Sequence, residues 1–223
     1  MPNDLAHWKP AATPTPNPLA GRCVTLEPLN ASRHSSDLFA AVTRHDDLWT
    51  WLAAAPTATA AEMIDKLEKW RDAERALLFA IVPANTGKAA GWASYMRIKP
   101  AHGVIEVGNV MFSPALQRTR AATEAMYLMA RHVFEDLGYR RYEWKCNALN
   151  EASRRAALRF GFAYEGIFRQ HMVVKGKSRD TAWFAMLDAD WPARKRAFEA
   201  WLDPANFDQA GRQRRTLLEC AKG

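Results

Sequence analysis

VIEVGNVMFSPALQRTRAATEAM, running from Val104 to Met126, sets a strand-like apolar segment against a helical one with a single polar, basic turn between them. From Val104 to Phe112 the β-branched residues, Met111 and Phe112 fit a buried or half-buried strand, and from Ala121 to Leu137 apolar residues recur at helical spacing. The run breaks at Ser113-Pro114, and the helix opens just past Thr119. A helix opening behind a short loop presents backbone N–H groups without intrahelical partners and the positive end of its macrodipole, which together favour a phosphate-bearing ligand. Gln117, Arg118, Thr119 and Arg120 surround that opening, and the two guanidinium groups add charge and forked donors suited to phosphate oxygens. An ordinary solvated strand-to-helix loop fits the same periodicity, which by itself leaves both readings open.

Outward from this stretch, strands and helices alternate. Arg22 to Leu29 alternates Val24, Leu26 and Pro28 with Cys23, Thr25 and Glu27, which predicts a first strand. Asn30 or Ser32 can cap a helix to about Arg44, and a second helix is expected from Thr59 to Arg75. Leu77 to Val82 and Lys88 to Lys99 read as strands around Asn85-Thr86-Gly87. Past the central strand and helix, Arg140 to Cys146 is another strand, and Asn150 caps a helix to Arg159 that Gly161 ends. Phe162 to Lys175 and Arg179 to Leu187 pair around a turn, and Asp190-Trp191-Pro192 opens a helix to about Leu202.

At 223 residues, 48% hydrophobic and 25% charged, the chain suits one globular domain with appendages. The net charge of +7 admits nucleic acid, an anionic membrane surface or an anionic cofactor, but the arginines are scattered and no nucleic-acid motif accompanies them, so nucleic acid is not the expected partner. Cys23, Cys146 and Cys220 lie far apart without metal-ligand spacing, which predicts neither disulfides nor a metal site and makes a reducing cytoplasm the default. No basic-then-apolar leader opens the sequence, and no apolar run has the length of a membrane span, so no membrane association is expected. Five of the twelve prolines fall in residues 1–20, an extended arm that could strap a partner subunit through Trp8. Beyond Asp203 the sequence turns polar and basic, as a solvated tail does.

Gln117 to Ala122 resembles the GNAT acyltransferase signature Q/R-x-x-G-x-G/A, the loop whose backbone amides hold the pyrophosphate of acetyl-CoA; Arg120 stands where the family usually has glycine. Asn150-x-x-Ser153, a helix, Gly161-Phe162 and Glu165-Gly166 resemble the N-x-x-S…GF…EG pattern of the RimJ/RimL-type branch. The resemblance spans roughly Gly21 to Trp191. It implies an α+β fold, an α/β sandwich with a mixed, mostly antiparallel central sheet flanked by helices and a splayed central strand pair that holds CoA. The expected organisation is an arm over 1–20, one acyltransferase domain over 21–202 and a tail over 203–223. The implied activity is transfer of an acetyl group from acetyl-CoA to a primary amine, on a small molecule or a protein N-terminus, without a metal. Succinyl or other acyl transfer, and a non-catalytic CoA-binding domain, are the alternatives. The resemblance and the arm suggest a homodimer.

Residue by residue, the resemblance implies that Gln117, Arg118, Thr119, Arg120, Ala121, Ala122 and Thr123 form the phosphate cradle. The backbone of Met111 and Phe112 and the side chain of Asn150 then meet the pantetheine arm, and Ser153 protonates or solvates the departing thiolate. Trp49 and Trp51, on the connector between the first two helices, are candidates for an apolar acceptor wall. A base must take a proton from the amine, and Glu106, His171, Glu124, Glu165 and Asp180 are available. Glu106 is the first choice: it stands eleven residues before Gln117, where histone-acetylating GNAT members place their general-base glutamate. Alternation sets it in a row with Gly108, Val110 and Phe112, an apolar face that favours a carboxyl able to accept a proton. His171 is second, because imidazole titrates in the useful range. Its neighbour Met172 occupies the register at which RimL-type enzymes carry a base, and alternation sends the two to opposite faces.

Overall fold

The computed structural model describes residues 5–222; Met1 to Asp4, including Pro2 of the arm, and Gly223 lie outside the described residues. Strands β1 (Leu19–Ala20), β2 (Val24–Pro28), β3 (Leu77–Pro83), β4 (Gly91–Lys99), β5 (Val104–Phe112), β6 (Arg141–Asn147), β7 (Ala163–Val174) and β8 (Lys177–Leu187) form one sheet. They follow chain order across it except at the far edge, where β8 lies between β6 and β7. All neighbours are antiparallel but β5 and β6. Two antiparallel halves, β1 to β5 and β6 with β8 and β7, therefore meet at one parallel pair, and the crossover between them carries the central helix.

Helices α1 (Ala31–Val42), α2 (Ala60–Glu74), α3 (Arg120–Arg131), α4 (Glu151–Arg159) and α5 (Trp191–Leu202) start close to where the sequence places them. Asn30, Thr59, Thr119 and Asn150 each accept a first-turn backbone N–H, which explains four of these starts. The central helix differs from expectation at its far end. It leaves α geometry at Arg131, and a single π-helical turn, His132–Asp136, completes the run to Leu137.

The sheet is covered unequally. On one face α3, α4 and α5 bury Ala125, Met129, Ala157 and Phe198 against Ile105, Val107, Tyr142 and Trp144. On the other, α1 and α2 bury Leu38, Met63 and Leu67 against Leu78, Ala80 and Trp92 of β3 and β4. No helix among the described residues covers β6, β8 and β7 on that second face, and Arg141, Glu143, Lys145 and Trp183 occupy it.

Both ends of the chain fold against the domain. The Trp8 indole donates to the Ala101 carbonyl at 3.1 Å, and Arg140 lies over its ring. Gly103 beneath it has φ +60 and no room for a Cβ. Trp8 thus docks on its own chain. The stretch beyond Asp203 is not simply a solvated tail: its arginines are exposed, but a four-residue helix, α6 (Leu217–Cys220), buries Leu217 and Cys220 in the main core. Asn206, buried, holds the Trp201 and Arg215 carbonyls and anchors the return.

Candidate active site

β5 and β6 pair in parallel from Val104↔Arg141 to Val107↔Trp144 and then part. Past that point β5 keeps only β4, and β6 only β8, so a gap with two unpaired backbone edges opens between Gly108–Phe112 and Lys145–Asn147. An extended ligand arm can hydrogen-bond there as a strand does. The loop at the end of the β5 limb is built from short-range bonds. The Ser113 carbonyl accepts from Leu116 and Gln117, and the Thr119 hydroxyl accepts from Ala122 at 3.1 Å. The amides of Arg118, Arg120 and Ala121 find no acceptor within the described protein. Three free donors at the start of a helix constitute an anion cradle.

The side chains of that loop face other ways. Gln117 donates to the Phe112 carbonyl at 3.1 Å and so braces the limb. Arg118 takes the left-handed backbone, φ +60, whereas Arg120 is simply the first helical residue, so the residue replacing the family's glycine needs no special conformation. The expectation that the Arg120 guanidinium forks onto phosphate is corrected. It stacks 4.5 Å from the centroid of Phe207, contributed by the returning C-terminal segment.

Across the gap, Asn150 caps α4 by accepting from the Ser153 amide at 3.0 Å. The Ser153 hydroxyl accepts from the Trp144 indole at 3.0 Å. Indole N–H is a donor only, so this contact leaves the serine hydroxyl to act as a donor. Beside it the Cys146 thiol is pushed up by burial, against a lowering hydrogen bond with Ser153.

The sheet face that carries Glu106 departs most from simple alternation. One extra residue in β5 at Asn109 (φ +48) and one in β4 at Arg97 (φ +48) bulge the pair. The first bulge reverses the face: Val110 and Phe112 join Ile105 and Val107 on the α3 side, while Met111 packs with Trp92 on the other. Glu106 therefore does not share a row with Val110 and Phe112. Its surroundings are ionic. Arg97 donates to both carboxylate oxygens at 2.9 Å, and Lys145 reaches one at 2.8 Å. Lys145 also meets Glu143 at 2.7 Å, Glu143 meets Arg141 at 2.7 Å, and Arg141 grips Glu165 through two bonds. Burial pushes the Glu143 carboxyl up, but bonds from Lys145 and Arg141 outweigh it and hold it below the usual value. Arg141 does the same to Glu165. Glu106, only 3% exposed, is the keystone of this row.

Over the row lies a cleft of about 520 Å³ lined by Arg97, Lys145, His171, Met172 and Trp183, reaching Lys99 and His102 at its far end. A bulge of β7 around Gln170 (φ +49), held by its amide on Asp180 at 2.7 Å, brings both His171 and Met172 to the cleft, against the alternation expected of neighbours. His171 Nδ1 lies 3.0 Å from the Thr181 hydroxyl. Nε2 makes no hydrogen bond among the described residues.

The two connector tryptophans are not the cleft's wall. Trp49 is core, its ring 5.9 Å from Trp92, and Trp51 is partly exposed elsewhere. The Trp49 carbonyl instead accepts from Lys175, tying the β7–β8 turn to the connector at 2.8 Å. Glu124, buried at the start of α3, accepts the Arg22 and Cys23 amides. Arg97, Glu143, Lys145, Arg179 and Trp183 escaped sequence reasoning. A signal was there in Arg141-Tyr-Glu-Trp-Lys-Cys146, where charged side chains alternate with apolar ones in an internal strand and so mark a charged sheet face.

A mostly antiparallel sheet parted at its one parallel pair, with an amide cradle at the head of the crossover helix and a charged cleft behind it, defines an acyl-transfer enzyme fold. Residues 24–163 match the acetyltransferase (GNAT) domain, and the chain belongs to the GNAT family of N-acetyltransferases. A GCN5-related N-acetyltransferase structure from Brucella melitensis shares 50% identity and superposes with a TM-score of 0.91, over 97% of this chain and 99% of that one. A probable GNAT-family acetyltransferase from Chromobacterium violaceum shares 41% identity over 86% of this chain and 96% of its own, with a TM-score of 0.81. An uncharacterized N-acetyltransferase of Bacillus subtilis, YoaA, is 28% identical over 122 residues, 55% of this chain and 68% of that one. No helix of the described residues is long and apolar enough to cross a membrane.

Proposed function

We propose that the protein transfers an acetyl group from acetyl-CoA to a primary amine, with the donor held on the β5 limb and the acceptor in the charged cleft. The carrying observation is the set of free amides at Arg118, Arg120 and Ala121 beside the parted strands, which suits a pyrophosphate and an extended arm. Bound acetyl-CoA supplies the thioester carbonyl that the amine attacks. Ser153, turned into a donor by Trp144, solvates the departing thiolate through its hydroxyl, and the thiolate takes its proton from solvent. His171, rather than Glu106, takes the amine proton: it faces the cleft with Nε2 free, while both Glu106 oxygens are bound to Arg97 and Lys145. The N-x-x-S, GF and EG elements at Asn150, Gly161 and Glu165 support a place in the RimJ/RimL-type branch. The test is thiol release from acetyl-CoA across a panel of amines, together with the melting temperature in millimolar CoA. Amine-dependent release and a CoA-dependent rise are expected; release with no amine and an unchanged melting temperature would overturn the reading.

A further inference from the structure

Resting on the assignment of the cleft as the acceptor site, we infer that the acceptor amine carries a carboxylate, received by Arg179 and Trp183 of β8. The cleft region has a surplus of hydrogen-bond donors. Arg97 and Lys145 of its lining are taken up by Glu106 and Glu143, but Lys99 of the lining and Arg179, the cross-strand neighbour of the lining residue Met172, have no carboxylate partner among the described residues. Arg179 precedes Trp183 by four residues, so both point to the same face of β8, the face on which Lys145 lies 3.7 Å from the Trp183 ring centroid. The charged groups that Arg179 feels are Glu106 and Arg97 of this cleft and the Cys146 thiol at the parted strands. Its Nε is fully shielded and bonded to nothing, and the same holds for the Trp183 indole N–H. Buried donors without acceptors are costly and rare in a finished site, whereas a ligand with two acceptor oxygens satisfies them. A planar carboxylate matches the guanidinium fork.

His171 completes the arrangement. It stands over Thr181, midway between Arg179 and Trp183 on the same strand face, with its ring centroid 6.0 Å from that of Trp183. An amine a few bonds from the carboxylate therefore comes within reach of the imidazole, as in an amino acid or a similar amino-carboxylate. The acid anchors the molecule, and the amine is left facing the parted strands.

The test uses the full chain with acetyl-CoA and matched acceptors: α-amino acids against their amides, and O-phosphoethanolamine against ethanolamine. Acids should exceed their amides by about tenfold or more in kcat/KM, the range of a charge-assisted hydrogen bond. Arg179→Gln should collapse that preference through KM, and Arg179→Lys should restore part of it. N-acetyl amino acids, which mimic the product, should raise the melting temperature of the CoA-loaded wild type and not that of CoA-loaded Arg179→Gln, a readout that needs no turnover. Equal use of acids and amides, a stronger preference for phosphoethanolamine, or no stabilisation by any N-acetyl amino acid would each overturn the inference. Amine-dependent thiol release and the CoA-dependent melting shift would survive all three outcomes, so failure here is distinct from failure of the acetyltransferase reading.

Discussion

The two sides of the parted strand pair are built to bind by different means. On the proposed donor side the groups on offer are main chain: the free edge of Gly108–Phe112 and the amides of Arg118, Arg120 and Ala121. The side chains there turn inward, Gln117 to the Phe112 carbonyl, Thr119 to the Ala122 amide and Arg120 to the Phe207 ring. On the acceptor side the main chain is consumed by strand pairing and the work falls to side chains from five strands, locked by the row Arg97, Glu106, Lys145, Glu143, Arg141 and Glu165. A main-chain site accepts almost any side chain, while a side-chain site specifies each one. One scaffold can thus keep its donor while the acceptor varies.

The largest expected effects lie on the acceptor side and separate chemistry from architecture. His171→Gln should lower turnover by about 10²–10⁴-fold with CoA affinity and melting temperature close to wild type, as for loss of a general base. Glu106→Ala should instead cost stability, about 1–3 kcal/mol by urea unfolding, because it strips Arg97 of its carboxylate and leaves the buried Lys145 with Glu143 alone. If Glu106→Gln lost turnover at unchanged stability while His171→Gln stayed active, the roles would be exchanged.

The strand, loop and capped helix proposed to hold the donor were legible because they are contiguous. One stretch of about twenty residues carries strand, cradle and helix cap, and each follows from local rules of periodicity and capping. The order and type of the major elements were legible for the same reason. The acceptor side was not, because three left-handed residues, Arg97, Asn109 and Gln170, interrupt the alternation that assigns faces. None is glycine, so no residue type announced the bulges. They turned Val110 and Phe112 away from the face of Glu106, set Arg97 against its carboxylate and brought His171 and Met172 to one cleft. The Arg120–Phe207 contact was hidden differently: Phe207, packed edge-on against Trp201, lies in a polar segment whose return is anchored by Leu217 and Cys220 of one short helix.

A middle-sized effect tests whether the cradle binds through its backbone. Arg120→Ala keeps the amide and removes the guanidinium, whereas Arg120→Pro removes both. Proline suits this position: it is the first residue of α3, and Thr119 before it is extended at φ −93 and ψ 165. The alanine variant should bind CoA nearly as the wild type does, and the proline variant about tenfold more weakly, by titration calorimetry. Equal affinity of the two would mean that the Arg120 amide does not contact the ligand.

The smallest effect is electrostatic and distinguishes the sides by pH. The folded protein holds the carboxyls of Glu143 and Glu165 below the ordinary value of 4.5, in Glu165 through Arg141 and in Glu143 through Lys145 and Arg141 against burial. A depressed carboxyl contributes stability that is fully present above the ordinary value and is lost as pH falls through the folded one, since the unfolded chain takes up the proton first. The row that shapes the acceptor cleft should therefore weaken below about pH 4.5. Residues 108–123, which form the donor side, contain no Asp or Glu and add no such dependence of their own. Glu165→Gln isolates one step: its difference in stability from the wild type should be under about 1 kcal/mol at neutral pH, as for an exposed pair, and should shrink toward zero as both proteins are taken into acid. Urea midpoints measured from neutral pH down through the carboxylate range give that difference directly. A gap that widened in acid would mean that Glu165 is stabilised by its proton and not by Arg141.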